Sequence, residues 1–209
     1  MVGRLIETNA CVAEGADWLA ARDPRFAAAL ARTGPLPLRR RKDGFGALLS
    51  AIVSQQLSVA AADGIWKRLE AAEATEAERV AVLPDDTLLS CGLSRPKLRY
   101  VRALCDARLD YTALRSMPDA DVVERLVALP GIGIWTAEIY AMFSLGRADV
   151  FAPGDLALRE AARVLFELPE RPAEKAFRQM AEAWSPWRSV AARLLWAYYR
   201  VAKNREGIR

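Results

Sequence analysis

The stretch LPGIGIWTA, residues 129–137, carries the strongest structural signal in the chain. Apolar residues recur at helical spacing before it, over 122–129, and again after it, over 137–143. Pro130 ends the first of these segments, and the two glycines permit positive φ and a close approach of the backbone. The sequence therefore predicts two helices joined by a tight glycine turn.

The second predicted helix begins with backbone N–H groups that no earlier turn of helix can satisfy. Such groups bind a phosphate without reading the base sequence. The candidate contacts are Gly131, Gly133, Ile134 and Thr136. An ordinary helical hairpin without a ligand has the same pattern, so the Pro-Gly-x-Gly turn by itself leaves both interpretations open.

A second motif, VFAPGD at residues 150–155, follows the hairpin. Asp155 comes directly after a Pro-Gly turn and before an apolar segment, 156–166, that is expected to be helical. Together the two motifs resemble the helix-hairpin-helix (HhH-GPD) DNA glycosylases, whose hairpin is followed by a loop rich in glycine and proline and by one essential aspartate. The triplet WTA at 135–137 and the pattern F-x-P-x-D at 151–155 look most similar to the alkylation-repair branch, DNA-3-methyladenine glycosylase II.

The resemblance implies an all-α fold with two helical lobes and the active cleft between them, in a single domain of residues 1–209. One lobe is expected from about residue 43 to 150, and the other from 1–42 combined with 151–209. An apolar fraction of 53% is sufficient for such a core. The extra N-terminal β domain that is usual in this branch is not expected, because the segment before the first predicted helices is short. No segment has the alternation of apolar and polar residues that is typical of a β-strand, so no strand is predicted. Short β segments are left as an alternative.

The implied activity is excision of an alkylated base, such as 3-methyladenine or 7-methylguanine, that the enzyme first extrudes from duplex DNA. Breaking an N-glycosidic bond builds positive charge on the sugar, which a carboxylate can stabilise. Asp155 is the candidate for this role. The simpler alternative is that Asp155 caps a helix, and the two roles are compatible because a helix N-terminus favours the ionised carboxylate.

Members of the family that also nick the DNA backbone carry a Schiff-base lysine immediately before the position of Thr136. Trp135 stands there instead, which favours a monofunctional glycosylase. Two alternatives stay open: a bifunctional glycosylase/lyase for oxidised bases, which would need the missing lysine, and a non-catalytic DNA-binding module, which would leave Asp155 unexplained.

Trp135 and Trp196 match aromatic positions of the base pocket in this branch, and their electron-rich faces would attract a cationic alkylated purine. Core packing is the alternative for both tryptophans. Ile139 stands where the best-known member of the branch has a tyrosine, so the pocket differs from that member's aromatic set at this position.

The segment Ser54-Gln55-Gln56-Leu57-Ser58, called here the probe loop, is similar to the family's intercalation loop, which fills the gap left by an extruded base. The resemblance makes four of its residues candidate DNA contacts, namely Gln55, Gln56, Leu57 and Ser58. Glutamine amides can bond to base edges and a leucine can wedge between bases, so Gln56 and Leu57 are equal candidates for the inserted residue. The basic run Arg39-Arg40-Arg41-Lys42 is either a further DNA contact or a solvated loop.

The hairpin also resembles family hairpins that bind a sodium or potassium ion through backbone carbonyls, which here would be those of Val127, Leu129 and Ile132. No other cofactor is expected. The four-cysteine iron–sulfur pattern of some relatives is absent, because no cysteine follows Cys105.

The net charge of +4, from 30 Lys and Arg against 26 Asp and Glu, is compatible with nucleic acid but does not indicate it. The expected partner is double-stranded DNA that contains a damaged base, bound by a monomer. No signal peptide or membrane segment is recognisable, so a cytoplasmic protein is expected.

Local signals predict several helix ends. Asp23 and Ser58 are expected to cap the helices that follow them, and Asp43 to cap the helix that begins at Phe45. Residues 203–209 are expected to fray.

Overall fold

The computed structural model describes residues 2–203, except for the side chain of Lys203. The fraying expected for 203–209 therefore concerns residues that lie outside this description, apart from the helical backbone of Lys203. The described residues form α-helices and one short 3₁₀ helix, so the all-α expectation is confirmed. Their bounds are α1 Asn9–Arg22, α2 Pro24–Thr33, α3 Phe45–Ser54, α4 Val59–Ala71, α5 Ala77–Val82, α6 Asp85–Ser90, α7 Arg95–Asp106, α8 Tyr111–Ser116, α9 Asp119–Val127, α10 Ile134–Phe143, α11 Leu156–Leu165, α12 Glu174–Met180, the 3₁₀ helix Ala181–Trp184, and α13 Arg188–Lys203.

No strand occurs in the part of the chain that the structure describes, and a single antiparallel bridge joins Leu5 to Arg147. The short helix α8 has no counterpart among the predicted elements. Its N-cap residue is Asp110, whose carboxylate accepts hydrogen bonds from the backbone N–H groups of Thr112 and Ala113, both at 2.9 Å. That N-cap is the local signal from which α8 could have been predicted.

Three predicted caps are confirmed and one is wrong. Asp23, Ser58 and Asp155 each accept a hydrogen bond from the first turn of the helix that follows. Asp43 does not cap α3, because the N-cap residue is Gly44 and Asp43 lies one residue too early to reach the first turn. Its carboxylate instead pairs with the guanidinium of Arg115, at 2.6 and 3.1 Å.

The chain divides into two compact units, and Arg41–Tyr140 forms the first. This unit contains the predicted probe loop and hairpin. Its core consists of leucine and other aliphatic side chains that are fully buried: Leu48, Leu49, Ile52, Leu69, Leu88, Val101, Leu104, Val122 and Leu126.

The second unit combines Val2–Arg40 with the described residues from Ala141 onward. Its core includes a cluster of five aromatic rings, namely Phe26, Phe151, Phe166, Phe177 and Trp184. The Phe151 ring makes edge contacts with Phe177, at 5.0 Å between centroids, and with Trp184, at 5.4 Å. This packing holds the start of the loop that leads to Asp155.

Candidate functional site

The loop that carries Asp155 is buried and internally bonded. Phe151, Ala152 and Pro153 are buried, and the backbone N–H of Asp155 donates to the carbonyl of Ala152 at 3.1 Å. Asp155 is then the N-cap residue of α11, with its carboxylate 2.9 Å from the N–H of Leu158. The predicted cap is therefore present, and its carboxylate lies where the helix favours negative charge.

Trp196 provides a second hydrogen bond to the same carboxylate. Its indole Nε1–H donates to Oδ1 of Asp155 at 3.2 Å, and both residues are buried. Oδ1 therefore accepts from two fixed donors, which sets the orientation of the carboxylate plane. The sequence gives no sign of this contact, which joins α13 to the start of α11.

Trp196 itself is only 3% exposed. Its ring packs against the Phe143 ring, at 5.7 Å between centroids. The guanidinium of Arg39, a residue of the basic run, lies 6.0 Å from the centroid of the Trp196 ring. The structure thus shows the core packing that was the alternative for this tryptophan. A role in stacking on a base stays a prediction.

Three arginines, Arg39, Arg40 and Arg193, place positive charge near Trp196 on α13. The buried Arg193 guanidinium donates to the carbonyl of Ser189 at 2.9 Å and to that of Leu38 at 3.1 Å. Burial first, and then repulsion from Arg39 and Arg40, lower the pKa of Arg193 to about 9, so it remains charged at neutral pH. Arg40 donates to the carbonyls of Phe143 and Ser144. Arg40 of the basic run is therefore engaged in hydrogen bonds within the protein. Contact between the basic run and DNA stays a prediction.

The predicted hairpin is the turn between α9 and α10. The Ile132 N–H donates to the Leu129 carbonyl at 3.1 Å. Gly131 has a φ of 86°, and a Cβ atom there would lie 2.4 Å from the Tyr100 ring, so only glycine fits. Gly133 differs from the expectation: its φ is not in the left-handed region, and nothing lies within 4 Å of an added Cβ. The surrounding protein does not require glycine at this position.

The start of α10 carries the backbone N–H groups expected to bind a phosphate. Ala137 donates the first helical hydrogen bond, to the Gly133 carbonyl at 3.0 Å. The N–H groups of the three preceding residues come before that bond, in the position where helices bind anions. Ile134 is 49% exposed, whereas the Thr136 side chain is buried.

An open depression of about 530 Å³ lies beside the hairpin and is lined by Gln55, Tyr100 and residues 127–133. Val127, Leu129 and Ile132, whose carbonyls are the predicted ligands of a monovalent ion, all line it. The Leu129 carbonyl already accepts the Ile132 N–H, which leaves its second lone pair for a ligand. The residues are compatible with such an ion, and the site stays a prediction.

The probe loop is bonded to the hairpin. The Gln55 side-chain amide donates to the Gly131 carbonyl at 2.7 Å, and the Lys97 ammonium on α7 donates to the carbonyls of Val53 and Gln55, both at 2.7 Å. Gln56 is exposed with a φ of 56°. Leu57 is 40% exposed, and Ser58 caps α4. Nothing in the sequence indicates that Lys97 would anchor this loop.

The predicted pocket residues are distributed over both units. Trp135 and Ile139 lie on α10 within Arg41–Tyr140, where Trp135 is 41% exposed and Ile139 is half-buried. Asp155 and Trp196 belong to the other unit, where they are in contact.

Comparison with known proteins shows the family to which the chain is similar. A family model described as "HhH-GPD superfamily base excision DNA repair protein" matches residues 49–186. The crystal structure of a DNA-3-methyladenine glycosidase from Bacillus halodurans is 35% identical, with a TM-score of 0.79 and coverage of 88% of each chain. A Schizosaccharomyces pombe 3-methyladenine DNA glycosylase in complex with abasic DNA is 25% identical, with a TM-score of 0.74 and coverage of 91% of this chain and 97% of that chain. By sequence, the DNA-3-methyladenine glycosylase 1 of S. pombe is 28% identical over 178 residues, which are 81% of this chain and 78% of the relative.

Within residues 2–203, no helix is both long and apolar enough to cross a membrane.

Proposed function

Because the chain belongs to the HhH-GPD superfamily of base excision DNA repair proteins, we propose that it is a monofunctional DNA glycosylase for alkylated bases. It hydrolyses the bond between the sugar and a base such as 3-methyladenine or 7-methylguanine in duplex DNA. The names of its relatives support this substrate class, since those quoted above are 3-methyladenine glycosylases or glycosidases. We further propose that it acts as a monomer.

The observation that carries the proposal is the buried carboxylate of Asp155, with Oδ1 held by the Leu158 N–H and the Trp196 indole. In the mechanism, the bond to the base breaks as positive charge develops on the sugar, and the Asp155 carboxylate stabilises that charge. Water then adds to the sugar carbon and loses a proton to solvent, which leaves the hydroxyl group of an abasic site. A carboxylate oriented in advance needs no rearrangement as the charge appears.

A cationic alkylated purine is a good substrate for such a site because it leaves as a neutral base. The chain has no histidine that could protonate a neutral leaving group. Trp135, partly exposed on α10, supplies an indole face that would attract the cation.

The hairpin and the probe loop supply the binding step. Backbone N–H groups at the start of α10 bind a DNA phosphate, independently of sequence. Gln56 and Leu57 are the exposed residues of the probe loop that would fill the gap left by the extruded base. A sodium or potassium ion on the carbonyls of Val127, Leu129 and Ile132 would add positive charge beside that phosphate.

Absence of strand nicking distinguishes this proposal from a bifunctional enzyme. Trp135 has no amine that could form a Schiff base with the sugar, so base release leaves the DNA backbone intact.

A duplex with one 3-methyladenine or one 7-methylguanine tests the proposal under single-turnover conditions, beside a duplex with 8-oxoguanine. We expect fast release of both methylated bases, strand breaks only after alkali, and no covalent adduct with borohydride. Equally fast excision of 8-oxoguanine with a trapped adduct would identify the bifunctional alternative. Tight binding without release of any base would identify a non-catalytic module.

A further inference from the structure

We propose that Lys97 and Gln55 are positioning residues that hold the probe loop against the hairpin, so that phosphate binding by the hairpin places Gln56 and Leu57 at the base stack. This inference rests on the proposed function. It changes the role of Gln55 from a DNA contact, as its sequence context predicts, to an internal tie.

Lys97 supplies donors where the backbone has none. Helix α3 ends at Ser54, and carbonyls in a last helical turn lack amide partners from the next turn. The Lys97 ammonium donates to one such group, the Val53 carbonyl, and to the carbonyl of the C-cap residue Gln55, at 2.7 Å each. A cation at a helix C-terminus is also favoured by the helix dipole. Partial burial lowers the pKa of Lys97, in line with an ammonium that has exchanged water for these carbonyls.

Gln55 provides a second tie, directly between the two loops. Its backbone carbonyl accepts from Lys97, and its side-chain amide donates to the Gly131 carbonyl at 2.7 Å. One residue therefore connects the supporting helix α7 to the probe loop and the probe loop to the hairpin.

The hairpin is fixed to the same helix through Tyr100, one turn along α7 from Lys97. The Tyr100 ring packs so closely on Gly131 that an added Cβ would lie 2.4 Å from it. Helix α7, the hairpin and the probe loop therefore form a closed set of three contacts, all within Arg41–Tyr140. The distance between the phosphate-binding turn and the inserted residues is then set before DNA arrives.

Such an arrangement explains why the long polar side chains of Lys97 and Gln55 donate to backbone carbonyls beside a DNA-facing loop. A free loop would lose conformational entropy when it enters the duplex, whereas a loop ordered in advance does not. The ties thus act on insertion and base extrusion and leave phosphate binding by the hairpin unchanged.

The test uses Lys97→Met, which keeps the aliphatic stem and removes the ammonium. Lys67→Met is the matched control, since Lys67 is an exposed lysine on α4. Lys97→Arg is the conservative variant, and Gln55→Glu removes the second tie independently by placing a carboxylate against the Gly131 carbonyl. All variants are compared for thermal midpoint and for Kd on a duplex with an abasic-site analogue. Loop insertion is followed by the fluorescence of 2-aminopurine placed beside the analogue.

For Lys97→Met and Gln55→Glu we expect a Kd within about threefold of wild type and a largely lost fluorescence rise. We also expect excision of 3-methyladenine to be about 10- to 100-fold slower. In Lys97→Met the cause is the loss of hydrogen bonds from a charged group, and in Gln55→Glu it is the repulsion between the carboxylate and the Gly131 carbonyl. Lys97→Arg should restore the fluorescence rise, and Lys67→Met should match wild type throughout.

A folded Lys97→Met protein that unstacks 2-aminopurine as wild type does would overturn the proposal. The proposal would also be overturned if Lys97→Met and Gln55→Glu lost DNA affinity and the fluorescence rise in parallel, and Lys97→Arg restored neither. The fluorescence duplex has no base to release, so this result is independent of the proposed function, which is judged by base release from the wild-type protein.

Discussion

The indole Nε1–H of Trp196 donates a hydrogen bond to Oδ1 of Asp155 at 3.2 Å, and so connects the last described helix to the candidate catalytic carboxylate. If this bond orients the carboxylate, Trp196→Phe keeps the aromatic packing and should slow single-turnover excision about 10- to 100-fold, the range for one lost bond to a charged group. DNA affinity should be unchanged. Trp66→Phe is the control, since the Trp66 indole also donates to a carboxylate, that of Glu70, on the surface. Equal rates for Trp196→Phe and wild type would contradict this role.

Asp155→Asn should slow excision strongly while preserving the fold. The amide oxygen of asparagine can still accept from Leu158 and Trp196, so only the negative charge is removed. We expect release of 3-methyladenine to fall at least about 100-fold, the scale of other preorganised electrostatic groups, with unchanged affinity for an abasic-site analogue. Asp110→Asn alters a capping aspartate of α8 in the same way and should keep full activity. A rate near that of wild type would remove Asp155 from the mechanism.

The two hairpin glycines should respond differently to substitution by alanine. Gly131→Ala combines a positive φ with a clash against Tyr100, so we expect a loss of about 1–3 kcal/mol in the free energy of unfolding, measured by urea denaturation. Gly133→Ala meets open space and should fold with nearly the stability of wild type. If DNA backbone approaches this position, Gly133→Ala will nevertheless weaken DNA binding. Wild-type affinity in that variant would place the phosphate elsewhere.

Tyr140 should make the protein sensitive to alkali. Its hydroxyl accepts the Gly44 N–H at 3.0 Å, and burial is the main cause that raises the pKa of Tyr140 to about 12. Between pH 10 and 12 the unfolded chain releases this proton while the folded protein keeps it. The contribution to stability is therefore complete below pH 10 and is lost as pH rises toward 12. From pH 9 to 11, wild type should lose about 1 kcal/mol more stability to urea than Tyr140→Phe. Parallel losses would contradict this assignment.

Trp135→Leu should narrow the preference for cationic bases. An indole face attracts a cation by about 0.5–2 kcal/mol more than a neutral base, which corresponds to roughly 2- to 30-fold in rate. The ratio of excision rates for 7-methylguanine and hypoxanthine should fall by that factor in single-turnover assays. An unchanged ratio would show that the selectivity lies in the leaving group alone.

Local signals predicted the two helices of the hairpin, helix α11 and the capping role of Asp155. A helix, a Pro-Gly turn and a capping aspartate are encoded by neighbouring residues, so the hairpin and the start of α11 are readable from the sequence. Helix α8 was missed because its six residues show too little periodicity, although Asp110 marks its start. The prediction that Asp43 caps α3 was wrong by one residue, because the N-cap residue is Gly44.

Contacts between distant residues could not be predicted in this way. Trp196 and Asp155 are 41 positions apart, and Lys97 and Val53 are 44 apart, so no spacing rule connects them. Trp196 was selected by resemblance as a pocket residue, and its hydrogen bond to Asp155 became visible only once α13 was packed against α11. The sequence also could not show that Gly131 is required sterically whereas Gly133 is not.

The backbone of Gln56 has a further consequence for how this protein would respond to selection. A side chain at a φ of 56° costs about 1 kcal/mol relative to glycine, which adopts this conformation without strain. Selection for heat resistance alone would therefore favour glycine or asparagine at position 56. Such variants would lose the long amide side chain at the exposed end of the probe loop. Thermostability and repair activity should thus evolve in opposite directions at this one position.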